Sequence, residues 1–166
     1  MTIWARRCRH ALLRMRRAHW RAMVAELGKR GRGERESGAF LLGDRQGDRR
    51  TVTEVVYLDD LDPDCLTGGI SFNGLAYSKL WDICDAKRKV VIGDIHTHPS
   101  RWVGQSDIDT ANPMLAQEGH VALIVPDYAT RNIAAEEVGV HRYDGVGWQT
   151  WTDEEAARRL FIRRFL

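Results

Sequence analysis

The sequence predicts an α/β protein, one sheet flanked by helices, and three observations lead there. Apolar or β-branched runs of strand length recur over residues 39–42, 51–58, 121–125 and 134–143. Residues 73–89 have helix length, and Leu75, Ala76, Leu80, Ile83, Cys84 and Lys87 form a stripe with a period near 3.6. Directly after it, Val90-Val91-Ile92-Gly93-Asp94-Ile95-His96 begins as an apolar run suited to a buried strand. At 166 residues and 43% hydrophobic content, the chain is read as one domain over residues 1–166, of a size whose core needs no covalent staples.

Taken in order, the first segment supports two readings. Cys8, Ala11, Leu12, Met15, His19, Ala22, Met23 and Leu27 recur at helical spacing, while Leu13-Arg14-Met15-Arg16 alternates like a strand. A short strand near 11–16 followed by a helix over 18–28 accommodates both. Gly31-Arg32-Gly33-Glu34-Arg35 is a connector, Gly-rich and charged. Residues 39–42 and 51–58 form an antiparallel hairpin across the polar, Gly-containing stretch 43–48. A turn region over 59–69 leads to the helix at 73–89 and the strand at 90–96. Residues 106–111 read as a short helix ended by Pro113, residues 121–125 and 134–143 as strands, 147–151 as an edge strand, and 153–166 as an Arg-rich amphipathic helix.

Charge and cysteine usage exclude several function classes. The net charge is +2, yet residues 1–35 hold eleven Lys/Arg against two Asp/Glu. Arg6, Arg7, Arg9, Arg14, Arg16, Arg17 and Arg21 make a basic segment over about residues 1–30, read first as a solvated face and otherwise as a surface that attracts nucleic acid or an acidic partner. It lacks aromatic residues at stacking spacing, so nucleic acid is disfavoured as a partner. Cys8, Cys65 and Cys84 are an odd set without CxxC spacing, which argues against a disulfide framework and a thiolate zinc cluster and for free thiols in a reducing cytosol. No stretch approaches the ~20 apolar residues that span a bilayer, and no signal-peptide run follows the first arginines. The expectation is a cytoplasmic protein without membrane contact.

The chemistry is concentrated between residues 96 and 109. His96 and His98 stand two apart on an extended segment, so their side chains share a face and can converge on one cation. Pro99 favours the extended conformation at His98. Asp109, in the first turn of the helix that Ser106 starts, is the candidate third ligand. Two nitrogens and one oxygen suit Zn²⁺, one per chain, with the fourth position left to water, the arrangement of catalytic zinc. Such a site needs a proton carrier that is not a ligand, and Glu36, before Ser37-Gly38-Ala39-Phe40-Leu41-Leu42-Gly43, is the candidate. Ser106 can donate to a developing oxyanion, although Ser106-Asp107-Ile108-Asp109 also fits a capping box. Singly, each of these residues has an ordinary structural use; their combination points to a metal-dependent hydrolase of amide bonds.

These residues resemble the JAMM, or MPN-plus, metalloprotease family. Its pattern is an upstream Glu, then His-x-His-Pro, six residues, and Ser-x-x-Asp. Here His96 to Pro99, Ser100 to Gln105 and Ser106 to Asp109 match it position for position. Glu36 to Gly43 is similar to the family's Glu-x-x-Gly-x-x-x-Gly, with Ala39 where glycine is usual. The resemblance implies a three-layer α/β/α sandwich like that of cytidine deaminases, with a curved mixed sheet. It implies His96, His98 and Asp109 as zinc ligands, Glu36 as acid/base, and Ser106 as donor to the tetrahedral intermediate.

Family members cleave the isopeptide bond between a ubiquitin-like protein and a lysine, or process ubiquitin-like precursors. The compact chain resembles bacterial versions encoded beside activating and conjugating enzymes of antiviral defence systems, so the expected partners are a ubiquitin-like protein, its conjugates and those enzymes. A groove for the glycine-rich tail is expected beside the site strand, taking the tail by strand addition, with residues 59–72 bordering it and Trp102 either covering it or packed under the loop. Alternatives are an endopeptidase acting on ubiquitin-like or sulfur-carrier precursors, and a non-catalytic scaffold, which normally has lost the ligands. Zinc deaminase chemistry is disfavoured because H-x-E and P-C-x-x-C are absent.

Overall fold

The computed structural model describes residues 10–47 and 50–163. Arg6, Arg7, Cys8 and Arg9 of the basic segment, Asp48 of the expected turn and the last three residues of the expected C-terminal helix lie outside the described residues.

The first described strand is β1 (Leu13–Arg16), whose Leu13 and Met15 are buried while Arg14 is partly buried and Arg16 exposed, and it runs directly into helix α1 (Arg17–Gly31). Trp20, Met23, Val24 and Leu27 bury one face of α1, and the helix ends where Arg32 turns left-handed at φ 56° and its N–H caps the Gly28 carbonyl. Strands β2 (Gly38–Asp44) and β3 (Glu54–Tyr57) form the expected antiparallel hairpin. The strand expected over 51–58 is confined to Glu54–Tyr57, because Leu58 opens helix α2 (Leu58–Leu61), which runs into the expected turn region; α3 (Gly74–Lys87) follows, with Asn73 accepting from the Leu75 N–H at its start. Ala76, Leu80 and Cys84 are the buried stripe of α3, whereas Leu75, expected in that stripe, is 78% exposed in the first turn.

Strand β4 (Lys89–Thr97) leads to α4 (Asp107–Ala111), β5 (Val121–Val125), β6 (Gly139–Tyr143) and β7 (Trp148–Trp151). The six-stranded sheet has the order β3-β2-β4-β5-β6-β7, with β4 and β5 parallel and every other pair antiparallel. It is a mixed sheet buried on both faces. Ala39 and Leu41 of β2, Ile95, Leu123 and Val140 face a core with α1, while Phe40 and Leu42 face a second core with Leu80 and Cys84 of α3. Period-two alternation along β2 thus feeds two cores, and the three-layer α/β arrangement predicted from the sequence holds.

Two further segments differ from expectation. The strand expected over 134–143 starts only at Gly139, because residues 135–137 form a 3₁₀ turn in which the Glu137 carboxylate accepts from the Ala134 N–H. The helix expected over 153–166 stops after α5 (Asp153–Arg159); Leu160–Arg163 forms β8, parallel to β1 in a separate two-stranded sheet. Leu160 and Phe161 bury their side chains there, and β8 gives the β1 backbone the partner it needs. Among the described residues no helix is long and apolar enough to cross a membrane.

Strands β4 and β5 meet tightly at Gly93, where a Cβ would lie 2.5 Å from the Val121 carbonyl oxygen. Backbone cannot yield as a flexible side chain can. Gly93→Ala is expected to destabilise the fold by about 1–3 kcal/mol, read as a lower urea midpoint at unchanged m-value.

Candidate metal centre

The site grows out of the β2–β4 register. Gly38 pairs with His96 and Phe40 with Asp94, so Asp94, His96 and, one step further, His98 share a face with the even-numbered residues of β2. The ladder continues past the last pair: Thr97 donates its N–H to the Ser37 carbonyl at 2.9 Å, and the Ser37 N–H donates to Thr97 Oγ1 at 3.0 Å. One residue beyond Ser37, Glu36 comes alongside His98. Its own N–H is held by the Gly68 carbonyl at 2.8 Å.

The loop after β4 is anchored at several points. His98 donates its N–H to Val125 and accepts at its carbonyl from the Tyr128 N–H, both at 2.8 Å, and Asp127 donates to the Ser100 carbonyl at 3.0 Å. Asp127, Tyr128 and Ala129 are all left-handed, with φ of 55°, 51° and 56°, a strained turn that clasps the end of β4. Further on, the fully buried His141 of β6 contacts the Val103 carbonyl through Nε2 and Thr150 Oγ1 through Nδ1, both at 2.9 Å. Burial lowers the His141 pKa, keeping the ring neutral. Gly139 lets this loop pass, since a Cβ there would lie 2.0 Å from the Val103 oxygen.

Ser106 caps α4 in a full capping box: its Oγ accepts from the Asp109 N–H at 3.1 Å, and its own N–H donates to Asp109 Oδ2 at 2.8 Å. The hydroxyl also donates to Asp109 Oδ2 at 2.7 Å. The cap therefore aims Asp109 at the histidines, and the hydroxyl proton must swing off Asp109 before it can serve an oxyanion.

The structure brings together the three residues read as ligands. His96 Nε2 lies 3.1 Å from His98 Nε2 and 3.5 Å from Asp109 Oδ1, and His98 Nε2 lies 3.3 Å from Asp109 Oδ2. One ligand atom from each residue can be chosen with all three within 4.8 Å of one another. Bonds of about 2.0–2.1 Å to a tetrahedral Zn²⁺ set ligand atoms roughly 3.3–3.4 Å apart, so the donor set fits this ion. The Nδ1 of His98 lies 3.2 Å from the Trp102 carbonyl, which fixes the proton on Nδ1 and leaves Nε2 bare for a cation. The Trp102 indole stacks on the same imidazole, with centroids 5.5 Å apart.

Electrostatics follow from this crowding. Burial opposes a charge on His96, but the hydrogen bond and charge of Asp109, with Asp94 and Glu36 behind it, outweigh burial and raise its pKa. Burial also works against ionisation of Asp109, yet its bonds to His96, His98 and Ser106 hold it well below the usual carboxylate range. Glu36 is half-buried, and burial raises its pKa against the pull of His96 and His98. A carboxylate so placed has the raised basicity of a proton carrier.

Glu36, His96, Ser106 and Asp109 line one cavity of about 400 Å³, whose apolar wall includes Leu58, Ile70 and Met114. Thr67, Gly69 and Ile70 border it, within the segment expected there. Strand addition beside the site strand is corrected, because β4 is enclosed by β2 and β5 and the sheet's edges are β3 and β7. Any extended ligand must find its main-chain partners on the bordering loops. Asp94, buried and bonded to His120 behind the ligands, was missed, as was His141. An acid at i−2 from His96 was a readable signal for Asp94; nothing local marked His141.

The expected content is about one zinc per chain, lost in Asp109→Ala, as elemental analysis of protein purified without chelator checks. Because protons compete for the raised-pKa His96, zinc affinity is level above that pKa and falls about tenfold per pH unit below it. Competition with a chromophoric chelator across pH 8 to 5.5 reads this slope.

No family model matches the sequence. Among solved structures, the chain is similar to a protein of Desulfitobacterium hafniense determined in solution, at TM-score 0.63 and 17% identity, covering 93% of this chain and 94% of that one. A JAB1/MPN domain protein of Archaeoglobus fulgidus aligns more loosely, at TM-score 0.43 and 15% identity, over 84% of this chain and 87% of that one. The first likeness places the chain in a fold already seen in solution, a mixed α/β sheet layered with helices.

Proposed function

We propose that the chain is a zinc-dependent hydrolase of amide bonds, an isopeptidase that removes a ubiquitin-like protein from lysine side chains in a bacterial conjugation pathway. One observation supports this reading above the others. His96, His98 and Asp109 converge at zinc-like spacing with Glu36 in the same cavity, in the motif order of the JAMM metalloproteases.

Zinc, when bound, supplies Lewis-acid chemistry, polarising a scissile carbonyl and acidifying water. The remaining work falls to the chain. Glu36 Oε takes a proton from the attacking water and returns it to the leaving lysine nitrogen, a role suited to a half-buried carboxylate that is not a ligand. Ser106 Oγ, released from Asp109, donates to the oxyanion. Gly38 lets the cavity wall pack closely against β2: a Cβ there would lie 2.8 Å from Leu58 Cδ1 and 3.1 Å from Ile70 Cδ1.

Glu36→Ala is expected to keep the zinc and the melting temperature but lower turnover of a ubiquitin-like–lysine conjugate by at least about 10²-fold. Near-wild-type turnover in that variant would remove Glu36 from the mechanism. Ser106→Ala is expected to lower kcat by about 10–10³-fold and to cost about 1 kcal/mol of stability through the lost cap. A linear fusion assayed alongside separates isopeptidase action from precursor processing.

A further inference from the structure

We propose that His141 and Thr150 are positioning residues for the metal: a hydrogen-bonded chain entering from the edge strand β7 fixes the carbonyl that orients His98, and so sets zinc affinity. The inference rests on the metal reading of His96, His98 and Asp109, and not on which bond is cleaved. The need for such a chain arises in the ligand loop. His98 is aimed by one hydrogen bond outside the ligand set, from Nδ1 to the Trp102 carbonyl at 3.2 Å. Outer partners of this kind hold a ligating imidazole in its tautomer and orientation. Trp102 stands in residues 98–106, which form neither helix nor strand, so its carbonyl is no better fixed than the loop around it.

The next carbonyl along is the anchored one. Val103 accepts from His141 Nε2 at 2.9 Å, and His141 is fully buried on β6, paired with Ala122 of β5 on one side and Thr150 of β7 on the other. The Trp102 and Val103 carbonyls belong to successive peptides. Because each peptide is planar, only the φ and ψ of Val103 separate them, and fixing the second restrains the first. Gly139, two residues before His141 on the same face of β6, makes the contact possible. A Cβ there would lie 2.0 Å from the Val103 oxygen and 2.8 Å from His141 Nε2.

Proton positions along the chain follow from the partners. A carbonyl only accepts, so His141 carries its proton on Nε2; Nδ1 is then bare and accepts from the Thr150 hydroxyl at 2.9 Å. By the same logic His98 takes the opposite tautomer, with its proton on Nδ1 and a bare Nε2 facing His96 and Asp109. Thr150 selects the tautomer of His141, His141 holds Val103, and the neighbouring Trp102 carbonyl selects the tautomer of His98. A histidine that only satisfied the Val103 carbonyl would matter to stability alone; one that acts through Trp102 matters to the metal as well.

The test is zinc affinity of the full chain, by competition with a chromophoric chelator, beside urea unfolding of the metal-free chain. His141→Leu is expected to weaken zinc binding about 10–100-fold, and Thr150→Val, which keeps the shape and removes the hydroxyl, about 3–10-fold. His141→Gln, whose amide N–H can stand where Nε2–H does, should recover most of the loss seen in His141→Leu. Gln149→Ala, on the other face of β7, should bind zinc like wild type. In the zinc-loaded chain the His98 Nδ1 proton, followed by ¹⁵N NMR, should exchange with solvent faster in Thr150→Val than in wild type. Should His141→Leu fail to fold, the exposed Thr150 decides the matter. The proposal is overturned by wild-type zinc affinity in Thr150→Val, or by variants that lose stability without losing affinity. A wild-type chain that binds no zinc removes the metal reading and this inference together, whereas tight binding shared by wild type and both variants removes this inference alone.

Discussion

Antiparallel pairing of β2 with β4, set so that Gly38 lies opposite His96, is the constraint on which the site depends. A shift of one residue would turn Phe40 and Leu42 out of one core, put Ala39 and Leu41 into the wrong one, and move Glu36 away from the histidines. The register is therefore held by hydrophobic sorting across two cores, and the convergence of His96, His98 and Asp109 comes with it. Phe40 illustrates the coupling: it is fully buried, packs edge-on against Phe72 at 5.5 Å, and stands on the same side of the sheet as the metal centre.

Around that pairing the chain collects buried polar groups that an apolar core would reject. Asp94, His96, His98, His120 and His141 are all buried, and each has a hydrogen-bond partner. Two imidazoles and a carboxylate facing one another are costly without a proton or a cation between them. Asp109 favours a proton on His96 and the imidazoles favour the ionised Asp109, so the His96 pKa is raised while that of Asp109 is lowered. A divalent cation satisfies the same three groups at once, so folding and metal binding favour the same arrangement.

The ends of β4 divide the labour. At its carboxyl end the left-handed turn at 127–129, His141 and the Ser106 cap fix the ligand loop from three sides. At its amino end lies a second cavity, whose wall includes Val91, Ile92, His120 and Arg142. His120, in the wall of that cavity, bonds Asp94, which lines the metal cavity, so one buried pair lies between the two.

What the sequence determined by itself is local. The alternation that puts His96 and His98 on one face, the Ser106–Asp109 capping box, the α3 stripe of Ala76, Leu80 and Cys84, and the β2–β3 hairpin all depend on residues a few positions apart or joined by a short turn, where backbone geometry alone fixes direction. Glu36 was readable as a candidate proton carrier, from its place before a strand of small residues and from the motif resemblance, but what sets it beside His98 is the β2–β4 register. Tertiary structure decided the rest: the side of β4 on which β2 pairs, the enclosure of the site strand, the clasp of His98 by Tyr128, and the support of Val103 by His141. It also turned residues 160–163 into a strand, since Leu160-Phe161-Ile162 is apolar enough for either state and the open backbone of β1 chose between them. Those outcomes rest on partners tens of residues distant, whose meeting depends on how two cores pack and not on any pattern written along the chain.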